Sequence, residues 1–62
     1  MYEKYVAVRD EKGMNDNQVA KKAGIGRSTF SDWKAGRSAP KYEKLCKIAA
    51  ALDKPVAFFL GE

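Results

Sequence analysis

A guanidinium, two hydroxyls and a carboxylate fall close together at Arg27, Ser28, Ser31 and Asp32, with two large rings, Phe30 and Trp33, set among them. On a helix, residues three apart share a face. Phe30 and Trp33 then turn to one side and the polar four to the others. The polar set has the chemistry that reads base edges in a DNA major groove. Arginine pairs bidentately with guanine, aspartate accepts from the cytosine amino group, and serine serves as donor or acceptor. A carboxylate beside phosphates is costly, so Asp32 has a second reading beside base contact, in which it orients Arg27 or excludes wrong bases. The two rings could stack on bases, as in single-strand binders, but their spacing within a helix favours core packing.

These side chains need elements to hold them. Gly13, Gly24, Gly26, Gly36, Pro40, Pro55 and Gly61 punctuate the chain into five segments with helical patterning, and no segment alternates as a strand would. The pattern predicts helices over about 2–12, 16–23, 27–35 and 42–52, and a last turn over 56–60. In the first, Tyr5 and Val8 offer an apolar stripe, with Tyr2 and Val6 beside it. Asn15 is suited to cap the second, with Gln18 completing a capping box, and Val19, Ala20 and Ala23 form its inner face. In the fourth, Tyr42, Leu45, Ile48, Ala49 and Leu52 follow the i, i+3, i+4, i+7 template. Ile25 is expected to plug the core from the turn at 24–26, and Phe58, Phe59 and Leu60 to return to it.

Two short helices joined by a glycine turn have the form of a helix-turn-helix, here about 16–35, in which the second helix enters the major groove by its N-terminal residues. Charge agrees. The chain of 62 residues carries 12 basic and 8 acidic residues, net +4. Eight of the basic residues, but only Asp32 and Glu43 of the acidic ones, lie between Lys21 and Lys47. That segment holds +6 and the remainder −2. Such asymmetry suggests an anionic partner.

The same composition closes other routes. There is one cysteine, Cys46, and no histidine, so an intramolecular disulfide, the usual zinc spacings and Ser/His or Cys/His nucleophile pairs are excluded. A chain this short buries only about 60% of its unfolded surface and leaves little room for a catalytic cleft. No phosphate-binding glycine loop or carboxylate cluster is present. No apolar run reaches the ~18 residues of a membrane helix, and the first ten residues do not read as a signal peptide. The expectation is a soluble, cytoplasmic, non-enzymatic protein without metal or cofactor, residues 1–62 forming one domain, either standing alone or within a longer protein.

The stretch from Met14 to Pro40 resembles the Cro/C1-type helix-turn-helix family, also called the XRE family. The likeness rests on Val19, Ala20, Gly24, the run from Arg27 to Ser31, Trp33, Gly36, Pro40 and Leu52. It extends to Tyr5, Val8 and Arg9 before that stretch and to Phe58, Phe59 and Leu60 after it. The resemblance implies an all-α, five-helix, lambda-repressor-like fold. It also implies double-stranded operator DNA as ligand, bound by a homodimer on a pseudo-palindromic site, and a role as transcriptional regulator, repression being the expected sense. By analogy Arg27, Ser28, Ser31 and Asp32 are the base-reading set. Arg37, Ser38 and Lys41 are expected to hold phosphates, as are Asn15 and Asn17 through side chains and helix N–H groups.

Three departures from the family pattern stand out. Its usual glutamine at the start of the second helix, which touches phosphate, is here Asp16, so that contact is expected to be lost, with Asn17 or Gln18 compensating. The arginine of its first helix usually pairs with a glutamate late in the recognition helix. Here Arg9 would meet Lys34, which leaves Lys34 to bind phosphate. The recognition-helix cap is Gly26 where Ser or Thr is usual, at a cost of a few tenths of a kcal/mol.

Some residues read more plainly. One of Phe58 and Phe59 should close the core, and the other is the candidate for a dimer contact. Cys46 reads as packing and not as redox chemistry, and Lys44 and Lys47 as a solvated face. The alternative to DNA binding is a protein-interaction module built on the same fold, and the lost contact at Asp16 is the feature that leans that way.

Overall fold

The computed structural model describes residues 2–60. It contains α1 (Tyr2–Glu11), α2 (Asp16–Ala23), α3 (Ser28–Ala35), α4 (Tyr42–Ala51) and α5 (Val56–Phe59), with no strand among the described residues. Helices this short are marginal alone in water. Their stability comes from one shared apolar cluster.

Local signals set the boundaries of α2. Its first turn is closed by a complete capping box: Gln18 N donates to Asn15 Oδ1 and Asn15 N donates to Gln18 Oε1, both at 2.9 Å. It ends at Gly24, whose φ of 73° is the left-handed conformation that costs an L side chain most and glycine least. Gly36 ends α3 the same way, at φ 76°, and Arg37 N then reaches back to Asp32 O at 2.9 Å. Position 27 is the N-cap of α3 and no side chain caps it, so the helix proper begins at Ser28, one residue later than its pattern suggests.

The core draws on all five helices. Tyr5 and Val8 of α1, Val19 and Ala20 of α2, Phe30 and Trp33 of α3, Leu45, Ile48, Ala49 and Ala51 of α4, Leu52 and Phe59 are all buried. Burying each large member stabilises the fold by roughly 1.5–3 kcal/mol. Tyr5 is its organiser: its ring stacks on Phe30 at 5.1 Å and on Trp33 at 5.2 Å, while Tyr2 meets Trp33 edge-on at 5.4 Å. Helix α4 packs against both α2 and α5.

Four apolar expectations need correction. Tyr42 fits the stripe of α4 but is 63% exposed, because a periodic pattern marks a face without saying how far its neighbours cover it. Leu60 is 49% exposed: α5 ends at Phe59, and Leu60 is its C-cap, past the last helical residue. Cys46 and Ile25 are half-buried, Ile25 lying against the core and not plugging it.

Candidate nucleic-acid interface

With Phe30 and Trp33 turned inward at 1% and 6% exposure, the outer side of α3 is fixed. Arg27, Ser28 and Ser31 are exposed there, and Asp32 is half-buried at the edge. The start of α3 forms a ridge between two shallow hollows, and Ser28 lines both. One, of about 730 Å³, lies toward α1 and α2 and is lined by Arg9, Asn15, Asp16, Asn17, Arg27 and Ser31 among others. The second, of about 470 Å³, lies toward α4 and is lined by Thr29, Asp32, Ser38, Lys41, Lys44 and Lys47 among others.

Polar contacts hold the ridge in shape. Arg27 donates through Nη1 to Asn17 Oδ1 at 3.0 Å, tying the start of α3 to the first turn of α2. Arg37 donates through Nε to Asp32 Oδ1 at 3.0 Å, and its Nη2 lies 3.0 Å from the same oxygen. At the other end of the first hollow, Asp16 Oδ1 accepts from the Tyr5 hydroxyl at 2.6 Å and from Arg9 Nη1 at 2.9 Å. Arg9 also donates to Asp10 Oδ1 through Nε and Nη2. Burial, and then the bond to Asp16, raises the Tyr5 phenol well above the ordinary tyrosine range.

A helix-turn-helix family model of the Cro/C1 (XRE) type matches residues 7–59, which spans the second half of α1 and all of α2 to α5. The chain belongs to this helix-turn-helix family. The helix-turn-helix chain is also similar to a curated protein, the transcriptional repressor RstR of the cryptic phage CTXphi from Vibrio cholerae. The two are 29% identical over 55 residues, 89% of this chain. The chain spans about half (50%) of that repressor's length. The fold is that of a small helix-turn-helix DNA-binding domain. Among the described residues no helix is long and apolar enough to cross a membrane, and no cluster of ligating side chains is placed to hold a metal ion.

Several expectations within the helix-turn-helix change against this geometry. Asp32 orients Arg37 and not Arg27, because the turn at Gly36 folds Arg37 back beside it; the partner of Arg27 is Asn17. Arg9 does not lack an ion-pair partner. It turns to Asp16, whose carboxylate lies at the junction of α1 and α2. Lys34 is exposed in the last turn of α3 and lines neither hollow. Asn15 spends its side-chain oxygen on the cap of α2 and Asn17 spends its own on Arg27, so it is the amide nitrogen of each side chain that remains as a donor toward a ligand.

Phe59, one of the two dimer candidates, is buried at 1% and closes the core. Phe58 is half-buried, with Lys4 Nζ 5.9 Å and Lys54 Nζ 5.6 Å from its ring centre. Lys44 and Lys47 are exposed, as a solvated face is, and the sequence reading left out only that they line the hollow beside α3 together with Lys41. The available signal was their spacing of three, which puts all three lysines on one side of α4.

Proposed function

We propose that this chain binds double-stranded operator DNA sequence-specifically and regulates transcription by occupying it, repression being the sense that the similar phage repressor supports. The start of α3 enters the major groove. Arg27, Ser28 and Ser31 meet base edges, Arg27 by a bidentate contact with guanine. Asp32 acts at one remove by presenting Arg37 at the groove edge. The amide nitrogens of Asn15 and Asn17, with Arg37, Ser38 and Lys41, meet phosphates. Lys34 is a peripheral phosphate contact.

One observation carries this reading. The aromatic pair of α3 is buried, so the exposed donors at 27, 28 and 31 stand on a rigid ridge with a hollow on each side. On DNA the protein is a homodimer, with Phe58 and the exposed Leu60 at the contact between copies. Residues 1–62 act as one domain, non-enzymatic and cytoplasmic, needing neither metal nor cofactor. A protein-interaction role is not favoured, because the carboxylate of Asp16 that suggested it is occupied by Arg9 and Tyr5.

Selection from a random duplex library tests the proposal. A palindromic enriched site is expected, giving specificity, symmetry and half-site spacing together. Uniform recovery of all sequences, with capture of a protein partner, would overturn it in favour of the interaction module.

A further inference from the structure

The two hollows beside α3 differ in their electrostatics. On the α1/α2 side both cations are engaged within the molecule: Arg9 is shared between Asp10 and Asp16, and Arg27 donates to Asn17. On the α4 side stand three ammonium groups, Lys41, Lys44 and Lys47, all on exposed residues. None of the three forms an ion pair within 4.0 Å among the described residues. Two carboxylates line that hollow. Asp32 is held by Arg37, and the exposed Glu43 leaves the lysines in excess.

We infer that the phosphate grip on DNA is one-sided: Lys41, Lys44 and Lys47 together form the principal backbone site, taking the sugar-phosphate strand that runs along α4. This rests on the proposed reading of α3 as the groove-entering helix and adds to it where the binding charge resides. A groove is bounded by two phosphodiester strands, and a ridge between two hollows offers one to each. The strand on the α1/α2 side meets Arg9, already paired with Asp10 and Asp16, and Arg27, which is bonded to Asn17 and committed to base edges, so positioning there comes from amide donors. The strand on the α4 side meets ammonium groups whose counterions it can displace. Counterion release follows the number of phosphates neutralised, so the largest share of the salt dependence of binding resides on Lys41, Lys44 and Lys47. Lys44 and Lys47 contribute without regard to base sequence, since a phosphate contact carries no sequence information.

The test compares the charge-matched variants Lys44→Gln/Lys47→Gln and Lys21→Gln/Lys22→Gln with the wild type on the selected operator and on an unrelated duplex, over a range of salt. Lys21 and Lys22 are exposed on α2 and line neither hollow, so they report the general effect of losing two charges. The α4 variant is expected to lower the log–log salt slope by about 1.8, from about 0.9 per phosphate contact, on both duplexes alike, with unchanged preference for the operator. The α2 variant should keep the wild-type slope. Glutamine suits exposed helix positions, and thermal melts confirm that both variants fold. Equal slopes for the two variants would overturn the one-sided grip while leaving the α3 reading intact. A wild type that binds no duplex at any salt would overturn both.

Discussion

Arg9 Nη1 and Tyr5 Oη both donate to one oxygen of Asp16, at 2.9 and 2.6 Å. This single carboxylate accounts for two departures from the family pattern at once. The residue at the start of α2 is acidic where glutamine is usual, and the arginine of α1 lacks its usual partner in α3. Each change supplies what the other removes: Arg9 is satisfied from α2, and the charge of Asp16 is neutralised before any phosphate approaches. Tyr5 also stacks on Phe30 and Trp33, so the same contact joins the start of α2 to the inner face of α3.

The pair is partly exposed, at 20% for Arg9 and 34% for Asp16, so solvent screening keeps its contribution modest. A double-mutant cycle of Arg9→Met and Asp16→Asn is expected to give a coupling of about 0.5–1 kcal/mol in urea unfolding, shrinking as salt is added. A coupling of zero at low salt would show that the bond between Arg9 and Asp16 is geometrically present but energetically idle.

Tyr5 gives this network a dependence on pH. Burial, then the bond to Asp16 and its charge, raises the phenol, and Arg9 opposes the rise. A raised folded-state pKa contributes stability that is complete below the unfolded-state value, about 10, and that is lost as pH climbs from there through the folded value. Tyr5→Phe removes the titration and also a hydrogen bond to a charged acceptor, about 1.5–3 kcal/mol. The wild type should therefore be the more stable at neutral pH, and its advantage should shrink above about pH 10. Urea midpoints of both proteins through the alkaline range read this directly. A constant gap would mean that the Tyr5 phenol titrates alike in the folded and unfolded states, against the raised folded-state value.

Much of this was legible in the sequence, and what was legible was local. The capping box at Asn15 and Gln18, the left-handed turns at Gly24 and Gly36, and the inward turn of Phe30 and Trp33 each depend on residues within four positions of one another. Spacing alone determines them. The pairs Arg9–Asp16 and Arg27–Asn17 join residues seven and ten apart. Their meeting depends on how helices dock and on which rotamer a long side chain adopts, neither of which spacing encodes. Asp32–Arg37 lies between. It is five residues long but needs the reversal at Gly36 to bring the guanidinium back. The DNA-facing candidates were legible as single positions, all exposed but the half-buried Asp32, and not as a set of partnerships. Lys41, Lys44 and Lys47 are evident in the sequence as a spacing of three, whose neighbour, the α3 ridge, only the fold supplies.

Trp33 tests the packing on which the exposed ridge depends. Trp33→Ala should cost about 3–5 kcal/mol, against a total stability of roughly 3–9 kcal/mol for a chain of this length. The variant is expected to be largely unfolded by circular dichroism at room temperature. Trp33→Phe, which keeps a ring against Tyr2 and Tyr5, should stay folded with a lowered midpoint. A well-folded Trp33→Ala that has lost only DNA binding would place Trp33 on the reading surface and undo the assignment of faces on α3.

Arg27 and Asn17 separate reading from positioning. Arg27→Ala removes the proposed guanine contact. It should weaken binding to the selected operator by about 1–3 kcal/mol and relax preference at one base position, with little effect on an unrelated duplex. Asn17→Ala leaves the guanidinium in place but releases it from the 3.0 Å bond that aims it. The expected result is a smaller loss at the same base position, because an unaimed arginine can still reach guanine but must be ordered on binding. Fluorescence anisotropy with the operator and with single-base variants at that position measures both. Loss at a different position would mean that Asn17 acts on its own, through its amide on a phosphate. Equal weakening of all duplexes by Arg27→Ala would make Arg27 a backbone contact, and the reading of bases would then fall to Ser28 and Ser31 alone.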